Sequence, residues 1–146
     1  MRVDFYQLAR DPAEAVLPLI ARNTLGAGER LVVVSQDGEQ LDRIDRELWA
    51  KLPESFLAHG RAGSAHDARQ PILLSNAADP ANGARFCALA DGVWREREPA
   101  FARSFYLFGE ATLADARACW RMLGERDGVE RRFWKQDDRG RWVEGP

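Results

Sequence analysis

The sequence predicts an α/β domain with a mostly parallel central sheet and helices on its faces. Residues 30–35, RLVVVS, form a continuous β-branched run, which is typical of a strand buried on both faces of a sheet. Strand and helix patterns alternate over the first third of the chain, which favours parallel strands joined by helical crossovers. The length of 146 residues suits one domain, so we expect a single domain over residues 1–146.

The first two predicted elements are a strand and a helix. Apolar and polar side chains nearly alternate over residues 3–8, which predicts a strand. Residues 11–14, DPAE, predict a helix start in which the Asp caps and the Glu returns the capping bond. The helix should end near Leu25, before the glycines at 26 and 28. Pro18 should kink or shorten it, because proline removes a backbone hydrogen bond and clashes with the preceding turn.

A second helix should follow the buried strand, opening with a further capping box at residues 37–40, DGEQ. Leu41, Ile44 and Leu48 recur at helical spacing and form its apolar stripe. After an expected loop over 60–70, the remaining strands are predicted at 71–75, 85–90 and 104–108.

The C-terminal part predicts a third helix and a hairpin. Thr112 should cap a helix to about Leu123, with Asp115 at the capping-box position and Gly124 as its end. Residues 129–136 and 141–143 should pair as a β-hairpin around 137–140.

The charge is unevenly placed along the chain. The net charge of −2 argues against a general nucleic-acid binder. Residues 117–141 nevertheless carry eight basic and five acidic side chains, so this segment is +3 and the rest is −5. Such asymmetry predicts a local site for an anionic ligand or tail, with a solvated face as the alternative.

Composition also bounds the compartment. No apolar run approaches the length of a membrane span, and the N-terminus lacks the pattern of a signal peptide. The two cysteines, Cys87 and Cys119, show no paired spacing and are expected to be free thiols in a reducing compartment. The predicted location is therefore the cytoplasm.

Catalytic and cofactor motifs are missing from the sequence. It contains no GxxxxGK[ST], no GxGxxG, no HExxH and no GxSxG. The glycines at 26 and 28 precede a strand, so they are expected to end a helix and not to bind phosphate. We therefore expect no catalytic residue, no metal and no cofactor.

Two groups of residues remain as candidate binding sites. The first is Trp49, Pro53 and Phe56, within the segment 45–60, DRELWAKLPESFLAHG. Trp49 lies beside the apolar stripe of its helix, and Pro53 is expected to end that helix. The two rings either close the edge of the core or form an exposed patch for a protein partner.

The second group lies on the third helix, where Leu113, Arg117, Trp120 and Arg121 share one face. The other face supplies apolar residues for the core, namely Ala116, Cys119, Met122 and Leu123. Arginines beside an aromatic ring suit a peptide that ends in an apolar side chain and a carboxylate. Stacking of a nucleobase with binding of its phosphate, or a purely structural role, remains open.

The chain resembles a known family over nearly its whole length. The matching residues are FYQL at 5–8, LWA at 48–50, PESF at 53–56, QPILLS at 70–75, AR at 116–117, WR at 120–121, FWKQ at 133–136 and GRW at 140–142. In these residues it is similar to the chi subunit family of bacterial DNA polymerase III.

This resemblance implies a Rossmann-like domain without a phosphate-binding loop and without catalytic activity. It implies an accessory subunit of the clamp-loader complex that bridges two partners in DNA replication. One partner is the psi subunit, and the other is the acidic C-terminal tail of single-stranded DNA-binding protein, which ends in Pro-Phe. A helicase-like repair protein can compete for the psi-binding face in some members.

The family's site residues carry over to both groups. Trp49 and Phe56, with Pro53 between them, match the psi-binding side. Arg117, Trp120 and Arg121, with Leu113, match the tail-binding helix, where Trp replaces a frequent Tyr and Arg replaces a Lys. A basic residue that some members carry near Leu113 is missing. The alternatives are direct binding of single-stranded nucleic acid and a degenerate nucleotide hydrolase.

Overall fold

The computed structural model describes residues 1–52 and 56–145. Within those ranges the chain forms three α-helices, α1 (Ala13–Gly26), α2 (Gly38–Ala50) and α3 (Leu113–Gly124). It also forms eight strands: β1 (Arg2–Gln7), β2 (Leu31–Val34), β3 (His59–Arg61), β4 (Ile72–Ser75), β5 (Phe86–Leu89), β6 (Arg103–Phe108), β7 (Glu130–Gln136) and β8 (Trp142–Glu144). Short 3-10 helices lie at Asp67–Arg69 and Glu110–Thr112.

The described strands form one sheet in the order β3-β4-β2-β5-β6-β1-β7-β8. All pairs are parallel except β7 with β8, which are antiparallel. The predicted α/β architecture with a mostly parallel sheet is therefore confirmed, and so is the terminal hairpin. All four residues of β2 are buried between β4 and β5, as the β-branched run indicated.

Helices cover both faces of the sheet and create two apolar cores. Side chains of α1 and α2 pack on one face with alternate residues of β2, such as Val33. Residues of α3 pack on the other face with the intervening residues, such as Val32. None of the described helices is long and apolar enough to cross a membrane.

The start of α1 differs from the prediction. The residue at its N-cap is Pro12, and no side chain caps the helix. Glu14 instead lies 3.4 Å from Arg43 of α2, so its carboxylate joins the two helices. Pro18 does not shorten α1, which runs through it to Gly26. Pro18 is itself buried, and packing of an apolar face supplies most of a helix's stability.

The other two helix starts are partly as predicted. Asp37 caps α2 by accepting a hydrogen bond of 3.0 Å from the Glu39 N–H. Gln40 does not close the box, because its side-chain oxygen accepts from the Ser35 hydroxyl, while the Asp37 N–H donates to that hydroxyl oxygen. Thr112 does not cap α3 through its side chain, since its hydroxyl oxygen accepts from the Gly109 N–H.

The expected loop over 60–70 contains part of β3 and a short 3-10 helix, so this prediction was wrong in detail. The sequence of β3 is His-Gly-Arg, which has no apolar alternation. Local propensity does not favour a strand here. The strand forms because pairing with β4 supplies its backbone hydrogen bonds.

A buried carboxylate joins three strands on the α1 face. Asp4 of β1 is 0 % exposed and accepts hydrogen bonds from Arg2, Arg103 and Trp134. Burial alone would raise the pKa of Asp4, but these three donors outweigh it and hold the pKa below its ordinary value. The ionised carboxylate therefore stabilises the pairing of β1 with β6 and β7.

Candidate functional site

A cleft of about 280 Å³ lies between α3 and the carboxyl-terminal halves of β1, β6 and β7. Its lining consists of Phe5, Gln7, Phe108, Leu113, Ala116, Arg117, Trp120, Arg121, Phe133 and Lys135. The structure thus brings together all four residues that the sequence placed on one face of the third helix. Their assignment as a tail-binding site remains a prediction.

Two rows of strand side chains form the floor of the cleft. In the inner row, Phe5 is the register partner of Phe133. In the outer row, Gln7 is the register partner of both Phe108 and Lys135. Register partners in a parallel sheet project from the same face. The floor is therefore aromatic in its inner row and partly polar toward the strand ends.

Trp120 forms the aromatic side of the helical wall. Its ring centroid is 5.1 Å from that of Phe5 and 6.0 Å from that of Phe133, both in edge-to-face geometry. The guanidinium carbon of Arg131 lies 4.1 Å from the Trp120 centroid, and this guanidinium also donates to the Trp120 carbonyl. Trp120 therefore adds to the core residues that the sequence assigned to the other face of the helix. The side chain packs against the core and also lines the cleft.

The rim of the cleft is positively charged. Arg117, Arg121 and Lys135 are exposed, and none forms an ion pair within residues 1–52 and 56–145. Many other arginines do pair, as Arg126 does with Glu96. Among residues 1–52 and 56–145, no acidic side chain lines the cleft. Its lining can therefore bind an anionic group beside an apolar one.

Sequence reasoning missed six of the ten lining residues. Five come from strands, namely Phe5, Gln7, Phe108, Phe133 and Lys135, and the sixth is Ala116, which the sequence assigned to the core face of the third helix. The spacing of Phe133 and Lys135 within a predicted strand put them on one face. What the sequence lacked was the strand order that places this face under α3.

The second predicted group lies near the other edge of the sheet. Trp49 is 53 % exposed and Phe56 is 75 % exposed, and their ring centroids are 5.7 Å apart. Pro53 lies outside the described residues, and so does the predicted effect of this proline on the helix end. The structure shows α2 ending at Ala50. The two rings are thus an exposed aromatic pair and not part of the core.

His59 supports the Trp49 ring from below, with a centroid distance of 4.6 Å. Its Nδ1–H donates to the Leu57 carbonyl at 2.6 Å. Its Nε2 lies 2.9 Å from a carboxylate oxygen of Asp45, without the alignment of a hydrogen bond. These contacts connect β3 to α2 beneath the exposed pair.

The glycines at 26 and 28 and the potential metal ligands can be compared with the structure. Within it, no three His, Cys, Asp or Glu side chains are grouped to hold a metal ion. The glycines at 26 and 28 lie at the end of α1, where the Ala27 N–H bonds to the Asn23 carbonyl. The interpretation of these glycines as a helix end is confirmed.

The fold and the cleft define an α/β domain with a candidate binding site for an anionic, partly apolar ligand. The model of the DNA polymerase III chi subunit family (HolC) matches residues 1–130. The chain therefore belongs to this family, as the sequence motifs indicated. The chain is also 32 % identical over 56 residues to the DNA polymerase III subunit chi of Escherichia coli (strain K12). That alignment covers 38 % of each chain.

Proposed function

We propose that the protein is a non-catalytic accessory subunit of the DNA polymerase III clamp-loader complex. In this proposal it bridges the psi subunit and the acidic C-terminal tail of single-stranded DNA-binding protein. The observation that carries the tail-binding part is the cleft beside α3, in which an aromatic floor adjoins three cations that have no ion-pair partner among the described residues. Family membership supports the role in replication.

The chemistry of the cleft matches the end of such a tail. A terminal Phe would pack against Phe5, Trp120 and Phe133, since aromatic pairs favour the offset and edge contacts available there. A guanidinium can hold the terminal carboxylate through two parallel hydrogen bonds, which Arg117 and Arg121 are placed to supply. The volume of about 280 Å³ suits a short peptide end better than a large cofactor.

The electrostatics favour capture of an acidic, disordered chain. The segment 117–141 carries the excess positive charge and contributes α3 and β7 to the cleft. Attraction at exposed cations steers association and weakens with salt. Ordering the tail costs entropy, so we expect roughly micromolar affinity for one peptide. Several tails on an oligomeric partner would strengthen binding through avidity.

Titration of a labelled peptide tests this proposal. We expect saturable fluorescence anisotropy with the C-terminal peptide of the cognate single-stranded DNA-binding protein, and weaker binding at higher salt. A peptide without its terminal Phe should fail to bind, because no ring would pack against the aromatic floor. Absence of binding at low salt would contradict the tail-binding function. Tight binding of bare oligonucleotide would instead favour direct recognition of nucleic acid.

We propose that Trp49 and Phe56, with Pro53, form the psi-binding face. Their exposure supports this, because large exposed aromatic residues anchor protein interfaces. A helicase-like repair protein could compete for the same face. This face lies over α2 near β3, whereas the cleft lies over β1, β6 and β7. Separate surfaces would let the protein hold both partners at once.

Replacing Trp49 with alanine is expected to weaken psi binding at least tenfold, since interface Trp residues are frequent hot spots. Tail binding and the melting temperature should stay nearly unchanged, because the Trp49 side chain is half exposed and far from the cleft. Calorimetric titration with psi measures the effect. The matched control is Leu19→Ala, another exposed apolar residue on the α1 side. Loss of cooperative melting in the Trp49 variant would show that its role is structural.

The fold and domain organisation follow the same family pattern in our proposal. We infer a single chi-like, Rossmann-like domain over residues 1–146 that has no phosphate-binding loop and needs no cofactor. The parallel sheet with helices on both faces supports the Rossmann-like architecture. The family's role in replication supports a location in the cytoplasm.

A further inference from the structure

The cleft has a third cation, which comes from its strand floor and not from the helical wall that carries the two arginines. Arg117 and Arg121 come from α3, one helical turn apart, whereas Lys135 comes from β7. Lys135 lies beyond residue 130, where the match to the family model ends. Neither the family match nor the helix periodicity therefore assigns a role to it.

The position of Lys135 is fixed by the strand that carries it. Phe133 lies two residues earlier, on the same face, and the Lys135 Nζ is 5.7 Å from the centroid of its ring. Gln7 is the register partner of Lys135 and also lines the cleft. The lysine stem therefore follows the aromatic floor, while the ammonium and the Gln7 amide form a polar edge near the strand ends.

Cations on both the helix and the strand floor favour a ligand with two anionic groups. One carboxylate needs only one guanidinium for its two parallel hydrogen bonds, and α3 presents two guanidinium groups. An ammonium is a compact point charge that accepts a carboxylate from a range of directions. In the part of the chain that the structure describes, the lining contains no acidic side chain that would neutralise Lys135, so its charge is available to the ligand.

We propose that Lys135, assisted by Gln7, binds an acidic side chain that lies upstream of the terminal apolar residue of the peptide. Arg117 and Arg121, on the helical wall, hold the terminal carboxylate. Lys135 is then a specificity-determining residue that selects acidic tails over neutral tails with the same apolar end. This inference rests on the proposed tail-binding function and adds a second point of recognition to it.

The test combines a protein variant with two peptides. Both peptides share the terminal residue and its carboxylate, but one has its upstream Asp residues replaced by Asn. Lys135→Gln should weaken binding of the acidic peptide about three- to fivefold at low salt, the effect of one exposed ion pair. It should leave binding of the neutral peptide unchanged, because the second anion is missing there.

The matched control is Lys51→Gln, which removes the only other lysine of the chain at an exposed position outside the cleft. Equal losses for Lys51→Gln and Lys135→Gln would overturn the inference, since they would reflect net charge alone. So would an unchanged affinity of Lys135→Gln for the acidic peptide, or an equal loss on both peptides. In these cases the proposed function would stand. Failure of the unaltered protein to bind either peptide would overturn both.

Discussion

Replacing Arg117 or Arg121 with alanine is expected to weaken binding of the acidic tail peptide at least tenfold. Each guanidinium faces the cleft without an ion-pair partner among the described residues. A carboxylate bound there would lose a charge-assisted hydrogen bond, which is roughly twice as strong as a neutral one. A tenfold loss corresponds to about 1.4 kcal/mol, within the usual range for such a contact.

The measurement is fluorescence anisotropy of the labelled peptide at low salt, with each variant purified and its thermal melting recorded. The melting temperature should not change, because both side chains are exposed. Arg139→Ala is the matched control, since it removes the same charge from an exposed position outside the cleft. If either cleft variant binds as tightly as Arg139→Ala does, that arginine does not hold the carboxylate.

A peptide with an amidated C-terminus sharpens the same experiment. Amidation removes the terminal charge and leaves the apolar side chain in place. The arginine variants should lose little further affinity for this peptide, because the group that they bind is already missing. Such non-additivity is what a direct contact produces, whereas general charge effects add independently.

The helical half of the cleft could be predicted because helix periodicity is local. Residues spaced by four or seven positions share a face whatever the rest of the chain does. Leu113, Arg117, Trp120 and Arg121 follow this rule, and all four line one cleft. The strand half depends on β1 lying between β6 and β7, two strands that are far from β1 in the sequence and neighbour it only in the folded sheet. Local pattern carries no information about that order.

Exposure was the second quantity that the sequence left open. Periodicity placed Trp49 beside the apolar stripe of its helix and Trp120 on the face opposite the core residues of its own, but it fixed the burial of neither ring. In the structure Trp49 is half exposed, while Trp120 packs edge-on against Phe5 and Phe133. The difference arises because α3 lies over an aromatic floor, whereas the end of α2 reaches past the core. Which ring a sheet covers is a tertiary property.

Helix capping shows a similar limit. The box at residues 37–40 was half right, because Gln40 finds partners in Ser35 and Ala90 that lie next to it only after folding. At α1, Glu14 pairs with Arg43 of the neighbouring helix instead of returning a capping bond. A long side chain at a helix start can bind either the local backbone or a residue brought near by folding. Here both side chains bind tertiary partners.

Replacing Asp4 with asparagine is expected to lower the free energy of unfolding by about 3 kcal/mol. The carboxylate is fully buried, and its loss would leave Arg2 and Arg103 without a countercharge. Breaking a buried ion pair from one side costs about 3–5 kcal/mol. The lower end applies because both arginine side chains are partly exposed. Denaturant unfolding at neutral pH measures the loss.

The pH dependence gives Asp4 a second signature. Its pKa is lower in the folded state than in the unfolded chain, because the donors from Arg2, Trp134 and Arg103 outweigh burial. Its contribution is therefore fully present above the unfolded pKa and is lost as the pH falls through the folded pKa. The unaltered protein should lose stability below about pH 4, and Asp4→Asn should show a shallower fall there.

The control for Asp4 is a surface carboxylate in a similar pair. Asp42 lies 2.6 Å from Arg61, but its side chain is 61 % exposed. Asp42→Asn should leave the unfolding transition nearly unchanged, because exposed ion pairs contribute little. If Asp4→Asn also left the unfolding transition unchanged, water would stabilise the two arginines as well as the Asp4 carboxylate does. The pairing of β1 with β6 and β7, and with it the floor of the cleft, would then depend on the aromatic core alone.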